Sequence, residues 1–333
     1  MLAARTTRIV WLMAKVVVSG GLLWFVLSQA HVPTLVEHVR TLDVAWLAPI
    51  MAAYATTVVI SGWRWLVLLR AQDVETGAWP LFESLLVAQF FNNFLPSNIG
   101  GDVMRIADTA PAARSRTLAT TVILVDRALG LFALVVVAAF GSFVAGRRGA
   151  PVPGAGYLWT TVGLATLTGA VLLGAPHLFP RLLAPLRRLE HEWIDTRIGR
   201  LEQAFDRFMQ AKASLVYAFA GAVAVQAAAV AYVSLLAHAM HIPLPILTAA
   251  VLVPVSFVIQ MLPITLNGFG VREGVYIYFF AHAGLDLEPA VALSLVQAGL
   301  MVLLSAVGGV LFALRGRSAK EVEGVEELEA VPD

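Results

Sequence analysis

Residues 89–105 read QFFNNFLPSNIGGDVMR, and this stretch interrupts an apolar segment with one proline and two adjacent glycines. Backbone polar groups inside lipid must be paired within the protein. Irregular backbone at membrane depth is therefore tolerated only where protein or a water-filled cavity surrounds it. The stretch predicts a broken helix that the protein keeps for a structural or functional reason.

A second stretch, residues 260–273, repeats the pattern as QMLPITLNGFGVRE. In each stretch a Leu-Pro pair is followed by a glycine five positions after the proline and by an arginine nine positions after it. An amide side chain also lies three positions before each proline. The prolines, Pro96 and Pro263, lie 263 − 96 = 167 positions apart, about half of the 333-residue chain. We interpret the two stretches as products of an internal duplication.

The composition is that of a multi-pass membrane protein. Hydrophobic residues make up 59% and charged residues 14% of the chain, whereas roughly 25% of the residues in soluble domains are charged. The mean hydropathy is +0.79. The sequence has no cysteine, which excludes disulfides, iron–sulfur clusters and thiol nucleophiles. No segment has the density of basic residues of a nucleic-acid-binding protein, and we expect no cofactor and no metal.

Six apolar segments approach or exceed the roughly 20 residues that a membrane helix needs. For the first of them a cleaved secretory signal is the alternative, because Ser28-Gln29-Ala30 loosely fits a cleavage site. Two further segments are short and broken, at residues 81–95 and at residues 246–263 with 268–283. The sequence therefore predicts an all-α polytopic bundle of about six full spans plus two re-entrant broken helices. The spans are residues 9–27, 44–69, 117–145, 157–179, 214–239 and 290–314.

The distribution of lysine and arginine predicts a protein of the cell membrane with both termini in the cytoplasm. If both broken segments re-enter, 16 of the 23 basic residues lie on the cytoplasmic side and 3 lie outside, with the other four in or beside membrane segments. Three full spans then separate the broken segments, so they enter from opposite sides. Repeats of opposite orientation, here about residues 44–145 and 214–314, are typical of alternating-access transporters.

Residues 1–314 are predicted to form one transmembrane domain, and residues 315–333 an acidic, disordered cytoplasmic tail. Residues 181–212 place apolar side chains at helical spacing between charged ones, which predicts an amphipathic helix. Two placements are open for this helix. It lies on the membrane surface, or it packs as a soluble helix on the cytoplasmic end of the bundle.

The two broken stretches contain the candidate substrate-binding residues. A helix N-terminus at a break exposes N–H groups and a partial positive charge, which suit a phosphate or a carboxylate. Arginines nearby would add formal charge, and adjacent carboxylates would orient them. The alternative is that the glycines only permit tight turns and close packing. The candidates are Asn98, Gly100, Gly101, Asp102, Arg105, Asp126, Arg127, Asn267, Gly268, Gly270, Arg272 and Glu273.

Asp126 and Arg127 are included because they lie about ten residues inside a predicted span. Charged groups at that depth are costly and usually face a bundle interior or a cavity. Neighbours on a helix point about 100° apart, so the two cannot be explained by pairing with each other. A structural ion pair between the repeats and a direct role in substrate binding are both open. The available partners are Arg64 and Arg105 for Asp126, and Asp102 and Glu273 for Arg127.

The sequence lacks the common enzyme motifs. It has no Walker A loop and no G-x-S-x-G elbow, and the stretch from His191 to Asp195 lacks the second histidine of HExxH. We therefore expect no enzymatic activity.

The stretches FFNNFLPSNIGGDVMR and LPITLNGFGVRE, with Asp126-Arg127 followed by Ala-Leu-Gly-Leu, resemble the transmembrane family of lysylphosphatidylglycerol synthases and flippases. The resemblance extends over nearly the whole chain and implies a lipid-translocating domain with re-entrant helices. Bifunctional members carry a soluble aminoacyl-transferase domain after the membrane part. This chain ends 333 − 314 = 19 residues past its last predicted span, so synthase activity is not expected.

These observations together predict a lipid flippase that moves an anionic phospholipid or a lipid-linked headgroup across the membrane. The expected partners are membrane lipids, either an anionic phospholipid or a glycolipid, and no nucleic acid. The alternative is a non-transporting scaffold for a lipid- or glycan-modifying enzyme, such as a glycosyltransferase or a lipid-synthesis enzyme. Residues 181–212 would then be the anchor for that enzyme.

Overall fold

The computed structural model describes residues 32–94, 100–149, 192–261, 265 and 268–315, and single positions between residues 20 and 28 and between 154 and 167. This described chain is helical and contains no β-strand. A short 3-10 turn, Val44–Trp46, precedes the second helix. The α-helices are α1 (Val32–Arg40), α2 (Leu47–Arg70), α3 (Ala78–Phe94), α4 (Gly100–Ala113), α5 (Arg116–Arg147), α6 (Glu192–Gln210), α7 (Lys212–Ala239), α8 (Ile246–Gln260), α9 (Val271–His282) and α10 (Leu287–Leu314).

Four of these helices are long and apolar enough to cross a membrane, namely α2 together with the turn before it, α5, α7 and α10. They coincide with four of the six predicted spans. The other two predicted spans, residues 9–27 and 157–179, lie mostly outside the described residues. The chain is a polytopic all-α membrane protein, as its composition predicts.

The first predicted break separates α3 from α4, which we call the first broken pair. The two helices pack against each other, and the residues between them, 95–99 with Asn98, lie outside the described residues. Arg315, just after α10, donates to Glu83 at 2.7 Å and to Asp108 at 3.3 Å. Because Glu83 lies near the start of α3 and Asp108 in the second half of α4, both helices reach the same end of the bundle.

The second predicted break separates α8 from α9, the second broken pair. These helices contain 15 and 12 residues and pack against each other. Asn267 lies outside the described residues. Gly270 precedes α9 with a φ of +83°, a backbone conformation that glycine adopts far more readily than other residues. Its N–H donates to the Glu273 carboxylate, so the start of α9 is capped from within.

The helices α2 and α7 begin the first half (α2 to α5) and the second half (α7 to α10), and they run antiparallel in contact. At one end, the N–H of Asp43 donates to the carbonyl of Ala239 at 2.9 Å. At the other end, Gly221 of α7 leaves room for Trp63 of α2, since a Cβ on this glycine would lie 2.9 Å from the indole ring. The first helices of the two halves therefore point in opposite directions.

Each half packs against the broken pair of the other half. Helix α5 of the first half contacts α8, and helix α10 of the second half contacts α3. Gly141 in α5 lies so close to α8 that an added Cβ would be 2.9 Å from the Cβ of Ala250. Gly308 in α10 lies closer still to α3, where an added Cβ would overlap the carbonyl oxygen of Leu86. The two halves are thus interlocked rather than placed side by side.

The amphipathic helix α6 packs against α5 and α7 and contacts the turn that follows α2. Its apolar side chains Ile198, Ala204 and Phe208 are buried, and Phe208 belongs to the same apolar cluster as Trp65. The Gln72 amide donates to the carbonyl of Ala204 at 3.0 Å. Of the two placements open from the sequence, these contacts favour a helix packed on the end of the bundle. The first part of the predicted helix, residues 181–191, lies outside the described residues.

Candidate functional site

A cavity of about 360 Å³ lies between the two halves of the bundle. Its described walls come from α2, α3 and α5 of the first half and from α7, α8 and α10 of the second. This volume is at the lower end of the range for small-molecule sites. Amide side chains dominate its polar lining, which is unusual between membrane-length helices. The six amides are Gln89, Asn92, Asn93, Gln226, Gln260 and Gln297.

Two polar groups in the cavity wall have no hydrogen-bond partner in the described part of the chain. They are the hydroxyl of Tyr232 and the side-chain oxygen of Gln226, and these residues are only 4% and 9% exposed. A buried polar group left unpaired costs about 1–3 kcal/mol. By contrast, Tyr54 on the same cavity donates to Gln89. Both atoms are buried, with almost no accessible surface of their own.

Arg127 is the charged side chain in the described cavity wall. It lies on α5, its side chain is 29% exposed, and its Nε donates to Asp102 of α4. This is one of the two partners that the sequence made available to Arg127. Arg127 thus joins the first broken pair to α5 and presents a positive charge at the cavity.

Behind Arg127, Asp126 is the centre of a buried ion-pair group. One of its carboxylate oxygens accepts from Arg64 Nε at 2.6 Å and the other accepts from Arg105 Nη2 at 3.1 Å. Arg105 also lies 3.7 Å from Asp102 and stacks over the Trp65 ring at 4.2 Å. Both partners predicted for Asp126 are confirmed at once. We call this group the arginine cluster; its members are Arg64, Arg105, Arg127, Asp102 and Asp126.

The arginine cluster contains three guanidinium groups and two carboxylates, and so carries one excess positive charge within the described residues. Asp126, Arg64 and Arg105 are all less than one-tenth exposed. Burial of charges costs several kcal/mol per ion unless opposite charges and hydrogen bonds compensate it.

The second half contains a balanced counterpart. Arg272 at the start of α9 donates to Glu273 at 3.0 Å and to the Ser294 hydroxyl at 2.9 Å. Ser294 in turn donates to Glu273 at 2.8 Å, and both charged residues are at least 98% buried. This group therefore ties α9 to α10 and has no net charge.

The predicted site residues are thus distributed between the cavity and its supports, and Arg127 is the one that lines the cavity in the described wall. Arg105 and Arg272 bind carboxylates of their own halves and share no ion-pair partner among the described residues. A single anion site formed by both of these arginines therefore stays a prediction. Asn98 and Asn267 lie outside the described residues.

The predicted glycines support amides of the cavity wall. The N–H of Gly101 donates to Asn92 at 2.8 Å, and an added Cβ on Gly268 would overlap the side chain of Gln260. Gly100 is the first residue of α4. The N–H of Gly101, at the start of the same helix, is already used in the hydrogen bond to Asn92. These glycines allow the start of the second helix of each broken pair to lie close to an amide at or near the end of the first helix, Asn92 in α3 and Gln260 in α8.

The cavity residues of the unbroken helices were not predicted from the sequence, above all Gln226, Tyr232 and Gln297. A signal existed, because an isolated amide in an apolar span is expected to face the protein interior rather than lipid. In the described ranges, no group of three or more histidine, aspartate, glutamate or cysteine residues is arranged to hold a metal ion.

Comparison with known proteins identifies a family. The sequence pattern of the family described as "Lysylphosphatidylglycerol synthase TM region" matches residues 12–309. No curated protein and no solved structure matches the chain. The description of the matched family names the membrane region of a lipid-modifying protein. This indicates a function connected with membrane lipids. The match extends over far more than half of the chain, and the protein therefore belongs to the family of lysylphosphatidylglycerol synthase transmembrane regions.

Proposed function

We propose that this protein translocates a membrane lipid by passing its anionic headgroup through the polar cavity between the two halves of the bundle. The observation that carries the proposal is the cavity itself, whose six amides and one arginine lie among four helices of membrane length and the first helix of each broken pair. A lipid headgroup needs polar partners while it crosses the apolar core, because each unpaired polar group there costs several kcal/mol. The acyl chains would remain in the bilayer.

The internal symmetry of the bundle supports an inverted repeat in this proposal. The equivalent helices α2 and α7 are antiparallel, and each half has a glycine packed against an amide of its own broken pair, Gly101 in the first and Gly268 in the second. Inverted repeats let a transporter expose one central site to either side in turn, by rocking one part against the other. The cavity lies between the halves, where such a movement would open it.

The Arg315 contacts support re-entrant helices. Because the start of α3 and the second half of α4 bind the same residue, the first broken pair returns to the end of the bundle from which it came. We propose that this end is cytoplasmic, since the basic residues concentrate there. Under the inverted repeat, the second broken pair enters from the opposite side.

The charge of the arginine cluster supports an anionic substrate. The cluster has an excess of one positive charge, and Arg127 brings that charge to the cavity wall. A guanidinium group binds phosphate through paired, charge-assisted hydrogen bonds. We propose that the phosphate of the headgroup binds at Arg127, while Arg105 and Arg272 hold the helices that surround the site. The proposal requires no covalent chemistry.

The scaffold alternative would need α6 to offer a surface to an enzyme. In the described part of α6, Ile198, Ala204 and Phe208 are already buried against the bundle. The apolar side of the helix is therefore used inside this protein. Translocation accounts for both the cavity and the charge, whereas a scaffold accounts for neither.

The test is a translocation assay in proteoliposomes. Purified protein is reconstituted with a headgroup-labelled anionic phospholipid, and the label in the outer leaflet is destroyed by a membrane-impermeant reagent. Faster loss of the inner-leaflet label than in protein-free vesicles is expected. Arg127→Gln should slow it by about tenfold, the effect of roughly 1.4 kcal/mol, while Arg148→Gln, an exposed change just past α5, should not. Rates equal to protein-free vesicles would refute the proposal.

A further inference from the structure

The ion pairs of the two halves lie mostly within one half or the other. The arginine cluster belongs to the first half, and the pair of Arg272 and Glu273 belongs to the second. Among the described residues, the ion pairs between the halves are those of Arg315, which follows α10. It binds Glu83 of α3 and Asp108 of α4. Arg315 therefore links the second half to the first broken pair.

The Arg315 link is more exposed to water than the ion pairs within the halves. The side chains of Arg315 and Glu83 are 20% and 27% exposed, whereas those of Arg64 and Asp126 in the arginine cluster are 10% and 4% exposed. Water can solvate a partly exposed charge when its partner leaves, so such a pair breaks at lower cost than a buried one. The buried pairs are therefore suited to hold each half together, and the Arg315 link is suited to open and close.

The link lies at one end of the contact between α3 and α10, which we call the inner seam. At the cavity wall, the Asn93 amide donates to the carbonyl of Met301 at 3.4 Å. Between this bond and the link, the rings of Phe91 and Phe312 meet edge to face with their centroids 5.0 Å apart. The inner seam therefore extends from the cavity to Arg315 at the proposed cytoplasmic end of the bundle.

Movement of the halves would open the inner seam. In the proposed inverted repeat, rocking of one part against the other exposes the cavity to one side at a time. Opening along the inner seam separates α10 from α3, and Arg315 must then leave Glu83. Loss of this ion pair is thus part of the free energy of opening toward the cytoplasm.

The corresponding contact at the opposite end, between α5 and α8, has no such link among the described residues. Arg148 follows α5 as Arg315 follows α10, and the two lie 315 − 148 = 167 positions apart. The residue 167 positions after Glu83 is Ala250, which is apolar and cannot pair with an arginine. Arg148 is exposed. The charged link therefore favours closure at one end of the cavity only.

We propose that Arg315 is a latch whose ion pairs with Glu83 and Asp108 hold the cavity closed to the cytoplasm, and that the latch opens when the cavity admits a headgroup from that side. This inference rests on the proposed function for the movement of the halves, and it adds the residue that controls the movement. The latch shifts the population of the protein toward conformations that are closed to the cytoplasm.

The test measures access to the cavity from each side, separately from lipid transport. Ser61 lines the cavity, and the natural sequence has no cysteine, so Ser61→Cys supplies a single thiol. A small membrane-impermeant methanethiosulfonate is added to membrane vesicles of either orientation. We expect Arg315→Gln to speed labelling from the cytoplasmic side about three- to fivefold, the effect of one partly exposed ion pair, and not from the outside. An unchanged cytoplasmic rate, or an equal increase from both sides, would overturn the inference.

Two further variants separate the latch from a general loss of stability. Arg148→Gln is the matched control, because it removes an exposed arginine just past α5, and it should leave both labelling rates unchanged. Glu83→Gln should give a smaller increase than Arg315→Gln, since Asp108 still binds Arg315. Glu83→Gln added to Arg315→Gln should then give no further increase, because both act on one link. Fully additive effects would mean that the two residues act separately and would contradict the latch.

A reversible cross-link tests whether the latch must open during transport. The double variant Glu83→Cys with Arg315→Cys is joined by a bifunctional methanethiosulfonate and reconstituted with headgroup-labelled anionic phospholipid. Translocation should stop while the cross-link is present and should resume after reduction. Translocation that continues through the cross-linked protein would overturn the latch alone. Faster cytoplasmic labelling in Arg315→Gln, with no translocation by the uncross-linked natural protein, would refute the proposed function alone.

Discussion

Gly141 of α5 and Gly308 of α10 each form a close contact that fastens one half of the bundle to the other. They lie 308 − 141 = 167 positions apart, the same interval that separates Pro96 from Pro263. Gly141 contacts α8 of the second half, and Gly308 contacts α3 of the first. Small residues matter at such contacts because membrane helices associate through close packing rather than through the hydrophobic effect. The cavity lies between the halves that these contacts hold.

The substitution Gly308→Ala is expected to destabilise the protein. The added Cβ would overlap the backbone of α3 at Leu86, and a backbone cannot move aside as a flexible side chain can. We expect a loss of about 1–3 kcal/mol, the usual cost of overpacking, measured as a lower melting temperature in detergent. Gly141→Ala should cost less, because its Cβ would lie 2.9 Å from the nearest atom, the Cβ of Ala250, whereas the Cβ at position 308 would lie 2.0 Å from the carbonyl oxygen of Leu86.

Gly299→Ala is the control for this change. Gly299 is also in α10, but no atom lies within 4 Å of the position of its Cβ. The control therefore reports only the higher helix propensity of alanine. If Gly308→Ala melted at the same temperature as Gly299→Ala, the close contact between α10 and α3 would be refuted.

The substitution Asp126→Asn should be strongly destabilising. It removes the carboxylate that binds Arg64 and Arg105 together and leaves two buried guanidinium groups without their shared counter-charge. Breaking a buried ion pair from one side costs about 3–5 kcal/mol. The measurement is thermal unfolding of the purified variant, with Asp286→Asn as an exposed control. Equal stability of the two variants would place Asp126 in a solvated environment instead.

The topology can be tested with single cysteines, because the natural sequence contains none. Arg114 after α4 and Gln210 at the end of α6 are exposed, as is Asp286 before α10. We expect cysteines at positions 114 and 210 to react with an impermeant reagent from the cytoplasmic side only, and one at position 286 from the outside only. Reaction of position 114 from the outside would be incompatible with a re-entrant first pair, and reaction of positions 114 and 286 from the same side would be incompatible with a re-entrant second pair.

The substitution Phe208→Ala tests the placement of α6. Phe208 is 3% exposed and packs in the apolar cluster with Trp65 and Leu69. Loss of a buried phenylalanine costs about 3–5 kcal/mol, and thermal unfolding should show it. Phe140→Ala, at a side chain that is 67% exposed, is the matched control and should change little. A melting temperature for Phe208→Ala equal to that of the control would favour the membrane-surface placement.

Much of the fold could be predicted because it depends on properties that are local or repeated. Span length and the absence of cysteine follow from composition, and the helices α2, α5, α7 and α10 lie where the hydropathy places them. Proline ends a helix because its φ is fixed and it has no N–H, and glycine ends one because its backbone is unusually free. Both breaks could therefore be found. The ion pairs of Asp126 could also be anticipated, because a charge inside a span must find a partner.

The cavity could not be predicted, because its members come from six helices that are distant in sequence. Gln226 and Gln297 are single amides in apolar spans, and which way each one faces depends on how its helix packs against the others. The same packing places Arg105 and Arg272 against carboxylates within their own halves and leaves Arg127 at the cavity wall. The sequence by itself determined four of the membrane spans, the two breaks and the repeated Leu-Pro pattern, since hydropathy and the backbone preferences of proline and glycine act along the chain. Only the tertiary structure decided which polar groups meet, since that depends on the rotation and contact of whole helices.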